Sequence, residues 1–214
     1  VRALVPYESA RRLFAASEGQ QRVWLNANES PEASSYTVQS ELLNRYPDCQ
    51  PESVLKGYAR YTGLNSEQIT VTRGADEGIE LLIRAFCTPG KDSVLVCPPT
   101  YGMYAISANT FNVGVHKVPL NPDFSVNTTE VCAQTNTVSV VFLCSPNNPT
   151  GTLVEQADIE AIAQAYQNKA IVVLDEAYIE FSAAKSQTAL LAKYDNLVIL
   201  RTLSKGFALA GIRC

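Results

Sequence analysis

Four apolar runs, at residues 93–97, 138–144, 170–174 and 197–203, set the limits on what this 214-residue chain can become. They are rich in valine, isoleucine and leucine and do not alternate with polar residues. Strands that face water on one side alternate, whereas strands covered on both faces do not, and the latter belong to parallel sheets. The stretches between the runs have helical spacing. Residues 155–166 place Ile159, Ile162, Ala163 and Tyr166 on one face, and 74–86 and 101–109 read the same way, with 128–134 as a short helix. Residues 68–72 and 114–118 read as further extended segments, and Pro98-Pro99 closes the strand before it, because proline cannot donate to a ladder. This alternation predicts an α/β fold, a mostly parallel sheet with helices on both faces. Right-handed crossovers then bring the carboxyl ends of the strands to one edge. Residues 1–60 differ, with loops over 26–35 and a helix over 52–61, and are expected to form an arm and part of a smaller domain. Residues 61–214 are expected to form the large domain.

Charge and cysteine content narrow the function. A net charge of −4 gives no electrostatic reason for a nucleic-acid or anionic-membrane partner. The apolar runs are strand-sized, too short to span a bilayer. The six cysteines form no CxxC pair and His116 is the single histidine, so no metal site is expected. Free thiols and the lack of a charged-then-apolar leader point to the cytoplasm. A chain that opens on Val1 and stops at Cys214, in the middle of an element, is expected to be a fragment of a longer polypeptide.

Chemistry-bearing residues fall on the strand ends. Lys205, in Arg201-Thr202-Leu203-Ser204-Lys205-Gly206, comes thirty positions after Asp175, which closes an apolar run. A pyridine-ring aldehyde needs both groups: an amine to form a Schiff base, and a carboxylate to keep the ring nitrogen protonated so that the ring accepts electrons. The crevice at the carboxyl ends of the strands is where open α/β sheets bind ligands. Tyr178, three residues after Asp175, and Asn148, in Ser145-Pro146-Asn147-Asn148-Pro149-Thr150-Gly151, are candidate partners of a phenolic oxygen. The backbone at Ala75 and Asp76, opening a helix, suits a phosphate, with hydroxyls from Thr202 and Ser204 and a guanidinium from Arg213. Tyr101, after Pro98-Pro99-Thr100, offers a ring to stack on a planar cofactor. Each signal has a plain structural alternative, a turn, a core tyrosine or a helix-start acid. Their joint order points to pyridoxal 5'-phosphate.

With these motifs stand Trp24-Leu25-Asn26-Ala27-Asn28-Glu29, Asn44-Arg45-Tyr46-Pro47, Arg73-Gly74-Ala75-Asp76-Glu77 and Cys97-Pro98-Pro99-Thr100-Tyr101-Gly102-Met103-Tyr104. Over essentially its whole length the chain resembles the type I pyridoxal-phosphate-dependent aminotransferases, and within them the histidinol-phosphate aminotransferase family. The resemblance implies that Lys205 is the catalytic lysine, that Asp175 pairs with the ring nitrogen, and that Asn148 and Tyr178 meet the phenolic oxygen. It implies that Tyr101 stacks on the ring, and that Ala75, Asp76, Thr202, Ser204 and Arg213 hold the phosphate. It further implies that Tyr46 reaches the phosphate of a neighbouring subunit in a homodimer, and that Tyr7 and Asn28 line a pocket for glutamate and histidinol phosphate. Family members continue beyond the point where this sequence stops and there supply arginines for acidic substrate groups, which puts turnover by these 214 residues in question. A related pyridoxal-phosphate enzyme, such as a threonine-phosphate decarboxylase or an aromatic aminotransferase, or an inactive folded fragment, remain the alternatives.

Overall fold

The computed structural model describes residues 25, 27–33, 35–37, 41 and 44–214. Its centre is a sheet of five strands, β1 (Ser93–Val96), β2 (Gly114–Lys117), β3 (Val140–Cys144), β4 (Ile171–Asp175) and β5 (Leu197–Leu200). Every pairing is parallel, and the order across the sheet is β2-β1-β3-β4-β5. The α-helices among the described residues are α1 (Glu52–Thr62), α2 (Gly74–Phe86), α3 (Met103–Thr110), α4 (Thr128–Ala133) and α5 (Gln156–Ala165).

Residue alternation within the buried strands assigns the two layers. Val140 and Phe142 of β3 pack with Ile79 and Ile83 of α2 and Tyr104 and Ala108 of α3. Val141 and Leu143 face the other way, onto Val131 of α4 and Ile159 and Ile162 of α5. Both faces of the sheet are therefore dry, which is why its strands carry apolar residues at consecutive positions. The expected α/β architecture with helices on both faces is the one observed.

Two sequence expectations fail. Residues 68–72 do not form a strand: Ser66–Gln68 is a 3₁₀ turn and 69–72 is irregular. A strand needs a ladder partner, and a groove of about 490 Å³ lies between Thr70–Thr72 and the edge strand β5. The backbone of Val71 is satisfied instead by one side chain, donating to Gln50 Oε1 at 2.7 Å and accepting from Gln50 Nε2 at 3.1 Å. The strand expected over 197–203 stops at Leu200. Arg201 is drawn away from the ladder into ion pairs with Glu176 and Glu180.

The strand order carries the functional consequence. From β1 the chain crosses to β2 on one side, then returns to place β3 on the other. Loops diverging in this way open a crevice at the carboxyl end of the sheet, the topological switch point.

Candidate active site

The turns after β1 and β3 flank that crevice and are tied together by Asn147. Its Oδ1 accepts from Thr100 Oγ1 at 2.8 Å, while its Nδ2 donates to the Pro99 carbonyl at 3.0 Å and to Thr150 Oγ1 at 2.8 Å. Its own N–H donates to the Thr152 carbonyl at 2.8 Å, and the turn closes through Gly151 at φ 73°. Asn147 is buried, and the next side chain, Asn148, is pushed outward, its Nδ2 3.4 Å from Tyr178 Oη.

Asp175 ends β4 opposite Leu200 of β5 and is almost fully buried. Tyr104, reaching from α3, donates to its Oδ2 at 2.7 Å, and the Ala177 N–H donates to Oδ1 at 3.0 Å. Burial holds the Asp175 carboxyl above the ordinary carboxylate range, against the pull of these two donors, and the nearby Asp76 and Glu176 charges push the same way as burial. Among the described residues no cation pairs with it. A buried acid with two donors and no counter-charge favours a ligand that brings a positive nitrogen.

Tyr178 lies in the turn that follows. Its hydroxyl accepts from Asn28 Nδ2 at 3.2 Å as well as from Asn148, which leaves its own proton for a third partner. Burial raises its pKa, so it stays a phenol and a donor. The Lys205 ammonium sits 5.8 Å from the centre of the Tyr178 ring and donates to the Ala27 carbonyl at 2.6 Å. Burial lowers the Lys205 pKa, helped by Arg213 and opposed by Glu29 and Asp76. A lysine of this kind loses its proton, and becomes a nucleophile, more readily than one in water.

An anion cradle adjoins it. Gly74 opens α2 at φ 75°, with no side chain capping the first turn. The Arg73 side chain is engaged with Glu77, at 2.9 and 2.7 Å, and the Asp76 carboxylate accepts from Tyr101 Oη at 3.0 Å. The amides of Ala75 and Asp76 thus stay open to an incoming acceptor. Arg213 leans over the same end: its Nη2 bonds the Arg73 carbonyl at 3.4 Å, and a Cβ on Gly74 would come within 2.9 Å of that nitrogen. Thr202 and Ser204 are buried beside it, joined by Ser204 N–H to Thr202 Oγ1 at 3.1 Å. Four backbone amides or hydroxyls and one guanidinium suit a phosphate monoester.

Asn148, Asp175, Tyr178, Lys205 and Asn28 therefore form one cluster, and Ala75, Asp76, Arg213, Thr202 and Ser204 lie around the start of α2 and the loop after β5. Tyr101 stands between them through its bond to Asp76. Tyr46 is fully exposed and touches none of these groups, and Tyr7 lies outside the described residues. Sequence reasoning gave no role to Tyr104, Asn147, Arg201 or Glu180. Tyr104 follows Tyr101 by one helical turn, and that spacing was the available signal. Among the described residues no group of His, Cys, Asp and Glu side chains could hold a metal ion. No described helix is long and apolar enough to cross a membrane.

A doubly wound α/β protein with its polar groups gathered at the switch point, beside a helix start open to an anion, is the class that fold and site define. More particularly, the chain belongs to the aminotransferase class I and II family, whose model matches residues 13–214. It is 59% identical over all 214 residues to a histidinol-phosphate aminotransferase of Pseudoalteromonas atlantica, of which it covers 58%. The histidinol-phosphate aminotransferase of Clostridium acetobutylicum superposes with a TM-score of 0.72 at 29% identity, over 81% of this chain and 51% of that one. The Sinorhizobium meliloti histidinol-phosphate aminotransferase, solved in complex with pyridoxal 5'-phosphate, shares the fold with a TM-score of 0.75 at 23% identity, over 87% and 53% of the two chains. The chain spans about six tenths of the length of the curated relatives it matches.

Proposed function

We propose that these residues form the cofactor-binding part of a pyridoxal-phosphate-dependent histidinol-phosphate aminotransferase, which moves an amino group between glutamate and the phosphate ester of an imidazole-bearing ketone. The observation that carries this reading is the buried Asp175 carboxylate, held by two donors and lacking a cation, one strand away from the loop of a half-buried lysine. The residues present fit the cofactor. Asp175 matches a protonated ring nitrogen, Tyr178 and Asn148 a phenolic oxygen, and Tyr101 the ring face. The α2 amides at Ala75 and Asp76, with Thr202, Ser204 and Arg213, match a phosphate.

Pyridoxal phosphate, when bound, supplies an aldehyde that reacts with amines and a ring that withdraws electrons from the carbon beside the nitrogen. The rest falls to the chain's own side chains. Lys205, its basicity reduced by burial, anchors the cofactor, then takes the proton from the substrate Cα and returns it one carbon away. Tyr178 donates its free proton and keeps the neighbouring oxygen in place. Asp175 retains the positive charge that makes the ring an electron acceptor. Asn28, bonded to Tyr178, borders the space for substrate, with Tyr7 proposed beside it. We place the cofactor domain at residues 61–214 and an arm with part of a small domain at 1–60, in a cytoplasmic homodimer whose partner's phosphate is met by Tyr46. The full exposure of Tyr46 and six free thiols support that arrangement.

Lys205→Ala tests the assignment. Wild-type protein incubated with pyridoxal phosphate and reduced with borohydride should carry the label on the peptide containing Lys205, and the variant should carry none. Label retained at another lysine would reject the role of Lys205. Release of carbon dioxide in place of an oxo acid would move the activity to the decarboxylases.

A further inference from the structure

Lys205 sits in a loop, residues 201–209, that has no helix or strand to hold it. Its backbone N–H groups make few ties: Leu203 to the Cys214 carbonyl at 3.2 Å, Ser204 to Thr202 Oγ1 at 3.1 Å, Ala208 to the Lys205 carbonyl at 3.0 Å, and Leu209 to the Leu203 carbonyl at 3.0 Å. Side-chain contacts between the loop and its surroundings supply further ties, and several converge on Glu180. Arg201, at the start of the loop, pairs with Glu180 Oε1 and, at 3.3 Å, with Glu176 Oε2. Glu176 is fully buried and also accepts the Gln187 N–H at 2.8 Å. Tyr61 of α1 donates to Glu180 Oε1 at 3.4 Å, and its ring meets Phe207 edge-on at 5.3 Å and lies 6.0 Å from the Arg201 guanidinium. Gly206, next to Lys205, rests on the methylenes of Glu180: a Cβ there would lie 2.7 Å from Glu180 Cβ.

The two acids belong to the same turn as Asp175 and Tyr178. One buried guanidinium thus joins the segment that presents the carboxylate and the phenol to the segment that presents the amine. Such a tie is stiff because its partners are desolvated: Arg201 is 11% exposed and its two acids are 1% and 13% exposed. We propose that Arg201, Glu176 and Glu180 act as a positioning clamp that sets where Lys205 stands relative to Asp175 and Tyr178. The clamp rests on the reading of Lys205 given above. No side-chain hydrogen bond joins its members to the cofactor groups named there, and its effect on Lys205 passes through Gly206 and the loop.

The test uses the full chain with Arg201→Met, Arg201→Lys and the milder Glu180→Gln, the last serving if Arg201→Met does not fold. Amide hydrogen exchange without cofactor is read at Leu203, Ala208 and Leu209, with β1 and β3 as internal reference. The rate of borohydride-trapped attachment of pyridoxal phosphate to Lys205 is read separately. Arg201→Met or Glu180→Gln should speed exchange in the loop while β1 and β3 stay protected. Attachment should slow by about tenfold to a hundredfold, as displacement of a reacting group by around an ångström does, and Arg201→Lys should recover part of it. Unchanged loop exchange in a folded variant, or a rise spread evenly over the sheet, overturns the clamp. Failure of wild-type protein to attach the cofactor at Lys205 would instead sink the functional reading, and the exchange result would still decide whether the loop is held in this way.

Discussion

Asp175 is costly for the fold to keep charged, and Tyr104 offsets part of that cost. Its folded pKa stands above the ordinary value, chiefly through burial. A carboxyl shifted upward contributes stability below its unfolded pKa and loses it as pH rises through the folded one, so wherever it is ionised the acid strains the cofactor-free protein. Tyr104→Phe removes the 2.7 Å donor and leaves Oδ2 buried without it. The expected loss is about 1–3 kcal/mol, larger above the folded pKa than below it, where the protonated carboxyl no longer needs the bond. Urea unfolding at the two pH values reads it out, and an equal loss at both would contradict the charge assigned to Asp175. The gathering of Asp175, Tyr178 and Lys205 at one edge was legible in the sequence because each follows an apolar run at a motif spacing that chance seldom gives. Tyr104 was not. Its ring stacks on Phe142 at 4.7 Å like any core aromatic, and only the packing of α3 on the sheet brings its hydroxyl to the acid. Arg201 was hidden for a similar reason, because its place at the end of an apolar run reads as strand until its acidic partners are seen.

Among the elements, α2 decides the anion cradle, and its start depends on one glycine. Gly74 combines a left-handed backbone with the nearest approach of Arg213. An alanine there meets both obstacles, a strained φ worth about 1–3 kcal/mol and a guanidinium that must retreat. Gly74→Ala should fold with a lower melting temperature and bind pyridoxal phosphate more weakly, while pyridoxal, which lacks the phosphate, binds both proteins alike. Fluorescence titration with the two ligands makes the comparison, and equal weakening for both would mean that the cradle is not at α2. The buried strands and the helices were legible to within a few residues, since period and length agree there. Residues 68–72 had a strand's composition but not a strand's neighbour, and one glutamine side chain took the bonds that a ladder would have made. Pairing is a tertiary fact, so composition alone could not decide it.

For the whole molecule, the decisive feature is the order β2-β1-β3-β4-β5, which brings the turns of β1 and β3 together over the ends of β4 and β5. A mostly parallel sheet was legible, but the order was not, because sequence patterns record which strands are buried and not which are adjacent. The order gathers an uncompensated carboxylate, an open helix start and a cationic side chain at one edge, each of them costly without a ligand. A ligand that meets all of them stabilises the native state and has no counterpart to bind in the unfolded chain. At about a hundred times its dissociation constant, pyridoxal 5'-phosphate is expected to add about 2.7 kcal/mol, raising the melting temperature by roughly 5–10 °C for a chain of this size. Inorganic phosphate should give a smaller rise, confined to the cradle and reduced by salt, because that part of the interaction is between exposed charges. Lys205→Ala should keep the phosphate response and lose most of the difference between the two ligands. If pyridoxal 5'-phosphate and phosphate raised the melting temperature equally in wild-type protein, Asp175, Tyr178 and Lys205 would have no part in binding, and the carboxyl edge of this sheet would be an anion site and nothing more.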